Sequence, residues 1–233
     1  MPRTSRAVSK TGIYHVLLRG VSKIFNSEKD KPEYLDRLAK CKEECGFYLY
    51  AYALMEDHVH LLIHDGGKPL STIIKKLNIG YASWYNTKYE RVGSLFQGRY
   101  KSEPVESHEY ILTVARYILQ TPATHTSYND YLARNKYDKL TDTKIILDAF
   151  CSNDYERAKK LFSEYVNEKN DDKCLDIETK LTDTEAKNLI PKDIKNMAKP
   201  ERDAALKTLK EKGMSIRQIE RLTGINRGII LNV

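Results

Sequence analysis

The sequence predicts an α+β fold, with a βαββαβ domain followed by an all-α region that ends in a helix-turn-helix. Three observations carry this prediction. Up to about residue 125, short runs rich in β-branched and aromatic residues alternate with longer runs of helical periodicity. The two middle strand runs are separated only by Met55-Glu56-Asp57, as an antiparallel hairpin requires. Beyond Thr124 the strand signals stop and amphipathic helical spacing takes over.

The elements follow in order. Ile13 to Arg19 (IYHVLLR) reads as a strand between Gly12 and Gly20. Lys31 to Cys45 places Tyr34, Leu35, Leu38, Cys41 and Cys45 at helical spacing, and Gly46 is positioned to end that helix. Phe47 to Leu54 is the second strand and His58 to His64 (HVHLLIH) the third, closed by an Asp65-Gly66-Gly67 turn. Leu70 to Tyr89 is a long helix with Ile73, Ile74, Leu77, Tyr81, Trp84 and Tyr85 on its apolar face. Gly93 to Val105 is extended, and Glu106 to Gln120 is a helix that must stop before Pro122. This is the ferredoxin-like order plus one helix, with the helices expected on one face of the sheet.

Three regions follow from the composition, at residues 1–125, 126–198 and 199–233. Asp138 to Lys169 suggests two helices with a break near Ser152-Asn153-Asp154, and Asn167 to Thr182 reads as a charged linker. In the last region Ala204 to Lys212 is helical up to Gly213. Ser215 can cap a helix from Ile216 to Leu222, Gly224 marks a turn, and Asn226 can start a third helix. That pattern resembles a helix-turn-helix, in which the helix after the turn enters the major groove.

The chain has 233 residues, a formal net charge of +7 and 41% hydrophobic residues, enough for a real core and suggestive of a polyanionic partner. Cys41, Cys45, Cys151 and Cys174 form no C-x-x-C pair, which excludes a disulfide framework and a structural zinc pattern and fits a reducing cytoplasm. The basic N-terminus lacks the apolar stretch of a signal peptide, and no run is long enough for a membrane span, so no membrane partner is expected.

The sharpest local feature is His58-Val59-His60. On a strand, residues i and i+2 share a face, so Val59, Leu61 and Ile63 can enter the core while both imidazoles face the other way and chelate one divalent cation. His64 shares their face but lies farther along and reads as a surface histidine. Among sixteen tyrosines, Tyr81, Tyr85 and Tyr89 form a packing stripe on one helix, and Tyr110 reads as core.

Around these residues the chain resembles a family. GIYHVLLRG (Gly12 to Gly20), YAYALMEDHVHLLI (Tyr50 to Ile63), GSLFQGRYKSEPV (Gly93 to Val105) and EYILTVARYI (Glu109 to Ile118) are similar, in order and spacing, to the bacterial single-tyrosine HUH transposases, in particular the REP-associated tyrosine transposase group. The resemblance covers roughly residues 1 to 135. It implies a single-strand DNA endonuclease and transposase domain over residues 1–125, a helical extension and linker over 126–198, and a DNA-binding module over 199–233. It implies that His58 and His60 bind Mg²⁺ or Mn²⁺ and that Tyr117 is the nucleophile, leaving a 5′-phosphotyrosine and a free 3′-hydroxyl. Such an enzyme would nick and rejoin single-stranded or hairpin DNA, act in a bacterial cytoplasm at the nucleoid, and work as a monomer or a homodimer.

One departure bears on the metal. The family places an amide side chain four residues after the tyrosine, where this chain has Thr121, so Gln120 or Thr121 is the expected third ligand. The segment from Pro122 to Tyr128 is also shorter than the family norm. Arg19, Arg99 and Lys101, with Lys75, Lys76, Lys88 and Arg91, are candidate phosphate contacts. Arg217 and Arg227 are candidates in the last region, and Trp84, Phe96 and Tyr100 are candidates for base stacking. A non-catalytic DNA-binding regulator that keeps the same fold is the alternative. A metallohydrolase ranks last because the further His and Asp spacing it needs is missing.

Overall fold

In the computed structural model of the protein, residues 6–123, 125–132, 140–176, 183–191 and 193–233 are described. The chain runs through β1 (Ile13–Arg19), α1 (Asp30–Cys45), β2 (Tyr48–Leu54), β3 (His58–His64), α2 (Leu70–Lys88), β4 (Lys101–Pro104) and α3 (His108–Gln120). With the two-residue β5 (His125–Thr126), the strands form a five-stranded antiparallel sheet of order β4-β1-β3-β2-β5. The βαββαβ order is therefore observed, and β3 sits at the centre with both edges paired.

Local chemistry explains the element ends. The Asp30 carboxylate accepts hydrogen bonds from the backbone N–H groups of Asn26 and Ser27 at 2.7 and 2.9 Å, fixing the entry to α1. Gly46, at φ 72°, ends that helix in the left-handed region, and its N–H donates to the Lys42 carbonyl. Ser107 accepts from the Tyr110 N–H, so α3 starts at His108 rather than at Glu106. The fourth strand is shorter than its extended-looking run suggests. Gly93 and Gly98 take φ values of 102° and 63°, which breaks pairing, and residues 93–100 form a loop bridged to Gly20 through Phe96.

The sheet is covered on both faces, not on one as the sequence led us to expect. Alternation sends Val16, Leu18, Val59, Leu61 and Ile63 toward α1 and α2, where they join Tyr34, Leu38, Ile73, Leu77 and Tyr81. Ile13, Ala51, Ala53 and Leu62 point the other way, against Ile111, Val114, Ala115 and Ile118 of α3. Three later helices complete that second layer: α4 (Tyr128–Tyr131), α5 (Lys144–Asp148) and α6 (Tyr155–Asn167). Tyr131 and Phe162 stack there with ring centroids 4.3 Å apart. The short segment after Pro122 returns directly to the sheet, with His125 and Thr126 pairing Leu54 and Ala53. The break expected near Ser152 to Asp154 is present, and Asp154 caps α6 by accepting from the Arg157 N–H. The start of the helix expected from Asp138, and residues 177–182 of the expected linker, lie outside the described residues.

The chain divides into two compact units, residues 1–176 and 177–233. The part of the helical extension up to Asp176 packs with the sheet domain, and its remainder falls in the second unit. The second unit contains α7 (Asp183–Leu189), α8 (Lys199–Glu211), α9 (Ile216–Thr223) and α10 (Arg227–Leu231). Its own core includes Ile194, Leu206, Leu209, Met214, Ile219, Ile225 and Ile230. Ser215 caps α9 by accepting from the Gln218 N–H, and Gly224, at φ 66°, turns the chain toward α10. Among the described residues no helix is long and apolar enough to cross a membrane.

Candidate active site

The α3-facing side of the sheet changes character along its length. It is apolar at Ile13 and Leu62 and becomes a histidine cluster at the opposite end of β3. His58 and His60 share this face, with ring centroids 5.2 Å apart. His15, from β1, lies 5.2 Å from His60, ring to ring. The face is not open. His60 is 1% exposed and His15 is fully buried, because α3 lies over them.

Both metal-ligand candidates are oriented by a second group. His58 Nδ1 is 2.7 Å from Asp57 Oδ1, and His60 Nδ1 is 2.9 Å from His15 Nε2. Engaging Nδ1 on each ring leaves Nε2 as the free ligand atom, the arrangement seen when a histidine binds metal and is fixed from behind. His60 Nε2 faces Asp176 Oδ1 at 3.8 Å. One ligand atom each from His58, His60 and Asp176 lie within 4.8 Å of one another, a spacing that one divalent cation can bridge. Burial, then the neighbouring His58, pulls the His60 pKa down to about 4 against the opposing pull of Asp176. Burial, then His60, takes His15 to about 3. Both rings are neutral at pH 7, the state a metal ligand requires.

Tyr117 enters this cluster from α3. The buried stripe Ile111, Val114, Ala115 and Ile118 fixes the helix rotation, and Tyr117 then falls on the edge nearest the histidines. Its ring centroid is 6.0 Å from those of both His15 and His60, with each imidazole edge-on to it. Burial raises its pKa above the ordinary tyrosine value, and so does the neighbouring Asp176 carboxylate. The phenol is therefore protonated at neutral pH, beside the Asp176 carboxylate.

Asp176 is the site residue that sequence reading missed. It arrives on the segment after α6, which is tied across α3 by a series of contacts. Arg116 makes a two-pronged contact with Asp172 at 2.7 and 2.9 Å. The Leu175 N–H donates to Glu103 Oε2 at 3.2 Å, while the Tyr110 hydroxyl holds Glu103 Oε1 at 2.8 Å. Gln120 takes part in this strapping: its amide donates to the carbonyls of Val166 and Glu168 and accepts from Asn170. Thr121 donates its hydroxyl to the Tyr117 carbonyl at 2.9 Å. The Gln120 amide is thus engaged with the segment after α6, and the group that joins His58 and His60 among the described residues is Asp176.

The basic candidates divide by location. Arg19 pairs across the ladder with His58, and the Gln97 N–H donates to the Arg19 carbonyl. Lys101 is opposite Leu17, in the same row as His60, and Arg99 is exposed in the intervening loop. These three gather at the histidine end of the sheet. Lys75, Lys76 and Lys88 ride on α2, on the other side, where Lys76 pairs with Glu44 and Lys88 with Asp30. Arg91 follows α2 with its Nη1 buried. Phe96 is buried in the α1/α2 core, Trp84 packs on Tyr81 beneath Lys88, and Tyr100 is covered by Arg6. None of these three aromatic rings lines the histidine cluster. His64 packs edge-on to Tyr48 and accepts from the Gly66 N–H. In the second unit, Arg217 on α9 and Arg227 at the start of α10 are exposed.

Comparison with known proteins bears on the first unit. Residues 9–121 match the family model described as transposase IS200-like. A REP-associated tyrosine transposase, solved bound to a REP hairpin, is 14% identical with a TM-score of 0.47, over 57% of this chain and 87% of that one. A candidate transposase from Deinococcus radiodurans R1 is 20% identical with a TM-score of 0.36, over 53% of this chain and 100% of that one. No curated protein matches the sequence. The matched span contains His15, His58, His60 and Tyr117 and ends before Asp176.

Proposed function

We propose that this chain nicks and rejoins single-stranded DNA through a covalent bond to Tyr117, reading residues 9–121, which match the model of IS200-like transposases, as a domain of that kind. One observation carries the reading: the Tyr117 hydroxyl and His60 Nε2 converge on the same carboxylate, Asp176, beside His58. In this reading His58, His60 and Asp176 hold one Mg²⁺ or Mn²⁺ ion. When bound, the ion polarises the scissile phosphate and offsets the charge that grows on its oxygens.

The remaining work falls to this chain's own groups. A tyrosine is a poor nucleophile while protonated. Asp176, beside the phenol, would take the proton as the Tyr117 oxygen attacks phosphorus. A carboxylate has two oxygens, so one can face the cation while the other takes the proton. The new bond joins the Tyr117 oxygen to the 5′-phosphate. The bond to the 3′-oxygen breaks, and that oxygen leaves as a hydroxyl with a proton from solvent. The ester keeps the energy of the broken bond, so the reverse attack can join a new end. Arg19, Arg99 and Lys101 would guide the strand by phosphate contacts. In the second unit α9, the Gly224 turn and α10 would serve as a helix-turn-helix for duplex DNA, with Arg217 and Arg227 facing it.

The test is a denaturing gel of the protein with labelled single-stranded or hairpin DNA and Mn²⁺. The natural chain should give a slow-migrating adduct and Tyr117→Phe none, since that change removes only the hydroxyl. An adduct that persists in Tyr117→Phe would assign the nucleophile to another tyrosine. No adduct from the natural chain across varied DNA would favour the non-catalytic DNA-binding regulator.

A further inference from the structure

His15 has no role in the chemistry above, yet it occupies the most protected position in the cluster. Its side chain is fully buried, where an imidazole without a purpose is a poor choice beside Leu or Val. Its Nε2 lies 2.9 Å from His60 Nδ1. Its own Nδ1 is buried with no hydrogen-bond partner among the described residues. The contact to His60 is therefore the one polar interaction that accounts for an imidazole at this place.

A single proton lies between the two rings, and its owner decides what His60 can do. If it sits on His15, then His60 carries its own proton on Nε2 and presents an N–H toward Asp176. If it sits on His60 Nδ1, then Nε2 presents a lone pair to the point shared with His58 and Asp176. Only the second arrangement lets His60 bind a cation. His15 must then carry its proton on Nδ1 and accept at Nε2. The two ligands are also backed differently. His58 has the Asp57 carboxylate behind it at 2.7 Å and is partly exposed. His60 lies too deep for an uncompensated carboxylate, and a neutral imidazole supplies an acceptor there without burying a charge.

We propose that His15 is a positioning residue that holds His60 in the tautomer and ring plane presenting Nε2 to a divalent cation. The proposal rests on the metal site described above and assigns this strand residue a part in building it. The test uses the full chain and Mn²⁺ alone, without DNA, so that turnover does not enter. Two variants separate positioning from packing. His15→Phe fills the space without an acceptor, and His15→Gln keeps an acceptor at the Nε2 position.

Mn²⁺ affinity should fall about 10- to 100-fold in His15→Phe, as expected for loss of a group that orients a ligand, and should recover to within a few-fold in His15→Gln. Thermal stability should run the other way, because Phe is the better tenant of an apolar core and Gln the worse. A purely structural role predicts that affinity follows stability, and that result would overturn the proposal. Equal Mn²⁺ affinity in the natural chain and both variants would overturn it as well. Should His15→Phe not fold, imidazole nitrogen shifts of the metal-free natural chain decide: a proton on His60 Nδ1 supports the assignment and a proton on Nε2 refutes it. A natural chain that binds no Mn²⁺ would instead sink the metal site itself, an outcome distinct from binding that ignores His15.

Discussion

The two faces of the sheet share one backbone and have opposite characters. Toward α1 and α2, β3 sends Val59, Leu61 and Ile63, and the partners are almost wholly apolar. Toward α3 it sends His58, His60 and Leu62, and the partners include His15, Tyr117 and a carboxylate from a distant segment. The period of two along a strand makes this division possible: one seven-residue element supplies a core with one set of side chains and a reactive cluster with the other. The apolar face closes early in the chain, with α1 and α2. The polar face closes only when α3, α6 and the segment ending at Asp176 have been laid over it. The first face fixes the histidines in space, and the second surrounds them with polar partners.

That contrast can be broken at either face. The largest effect should come from His58→Ala, which removes a partly exposed ligand at little cost in packing. Covalent adduct formation should disappear and Mn²⁺ affinity should drop by more than about 100-fold, beyond the loss typical of an outer partner, with the thermal transition near that of the natural chain. Retained binding would remove His58 from the ligand set. His60→Ala is the poorer probe, because His60 is 1% exposed and its loss leaves a cavity and an unpaired His15 nitrogen.

Next to it in sequence space, Leu61→Ala addresses the other face. Leu61 is fully buried in the α1/α2 core. Its truncation should lower stability by about 2–5 kcal/mol, read by chemical denaturation, while Mn²⁺ affinity below the melting range stays within a few-fold. A loss of metal binding as large as that of His58→Ala would show that the faces are not separable.

Asp30 tests the apolar face by pH. Burial alone would raise its pKa, but the hydrogen bonds from Lys88, Ser27 and Tyr89 outweigh it and hold the carboxyl at about 2. A folded-state pKa below the unfolded value of 3.8 means that the ionised form stabilises the fold. That contribution is complete above the unfolded value and is lost as pH falls from about 4 toward 2. Asp30→Asn should therefore cost about 1–3 kcal/mol at pH 7, and the difference from the natural chain should shrink through that window. Acid titration followed by circular dichroism reads it; a constant gap down to pH 2 would refute the assignment. The smallest effect belongs to His64→Ala, at the apolar end of the same face as His60. It should change stability by no more than about 0.5 kcal/mol and leave Mn²⁺ binding intact.

What could be read from the sequence follows the same division. β1 and β3 run from Ile13 to Arg19 and from His58 to His64, the limits that alternation and flanking turns indicate. His58, His60 and Tyr117, the residues proposed above to carry the reaction, could be singled out because each sits in a compact motif. His15 lay in plain view within IYHVLLR, but its meaning depends on register: with Leu17 opposite His60, His15 is one pleat away on the same face. No local pattern encodes that pairing. Asp176 was illegible for a stronger reason. The segment that carries it is charged and reads as linker, and what places it is a set of long-range contacts, Arg116 with Asp172 and Glu103 with the Leu175 N–H. Gln120 was a candidate as an amide adjacent to the position four residues after Tyr117, and in the fold that amide fastens the same segment. The short β4 shows the reverse case, in which glycines at 93 and 98 overrule a run of apparently extended sequence.

The central claim is that the α3 face of the sheet holds one divalent ion between His58, His60 and Asp176, beside Tyr117. Anomalous diffraction from crystals grown with Mn²⁺ tests it directly. A single strong peak is expected within coordination distance of His58 Nε2, His60 Nε2 and an Asp176 carboxylate oxygen. A peak coordinated by Gln120 or Thr121 in place of Asp176, or a saturated crystal with no peak at the histidines, would contradict it.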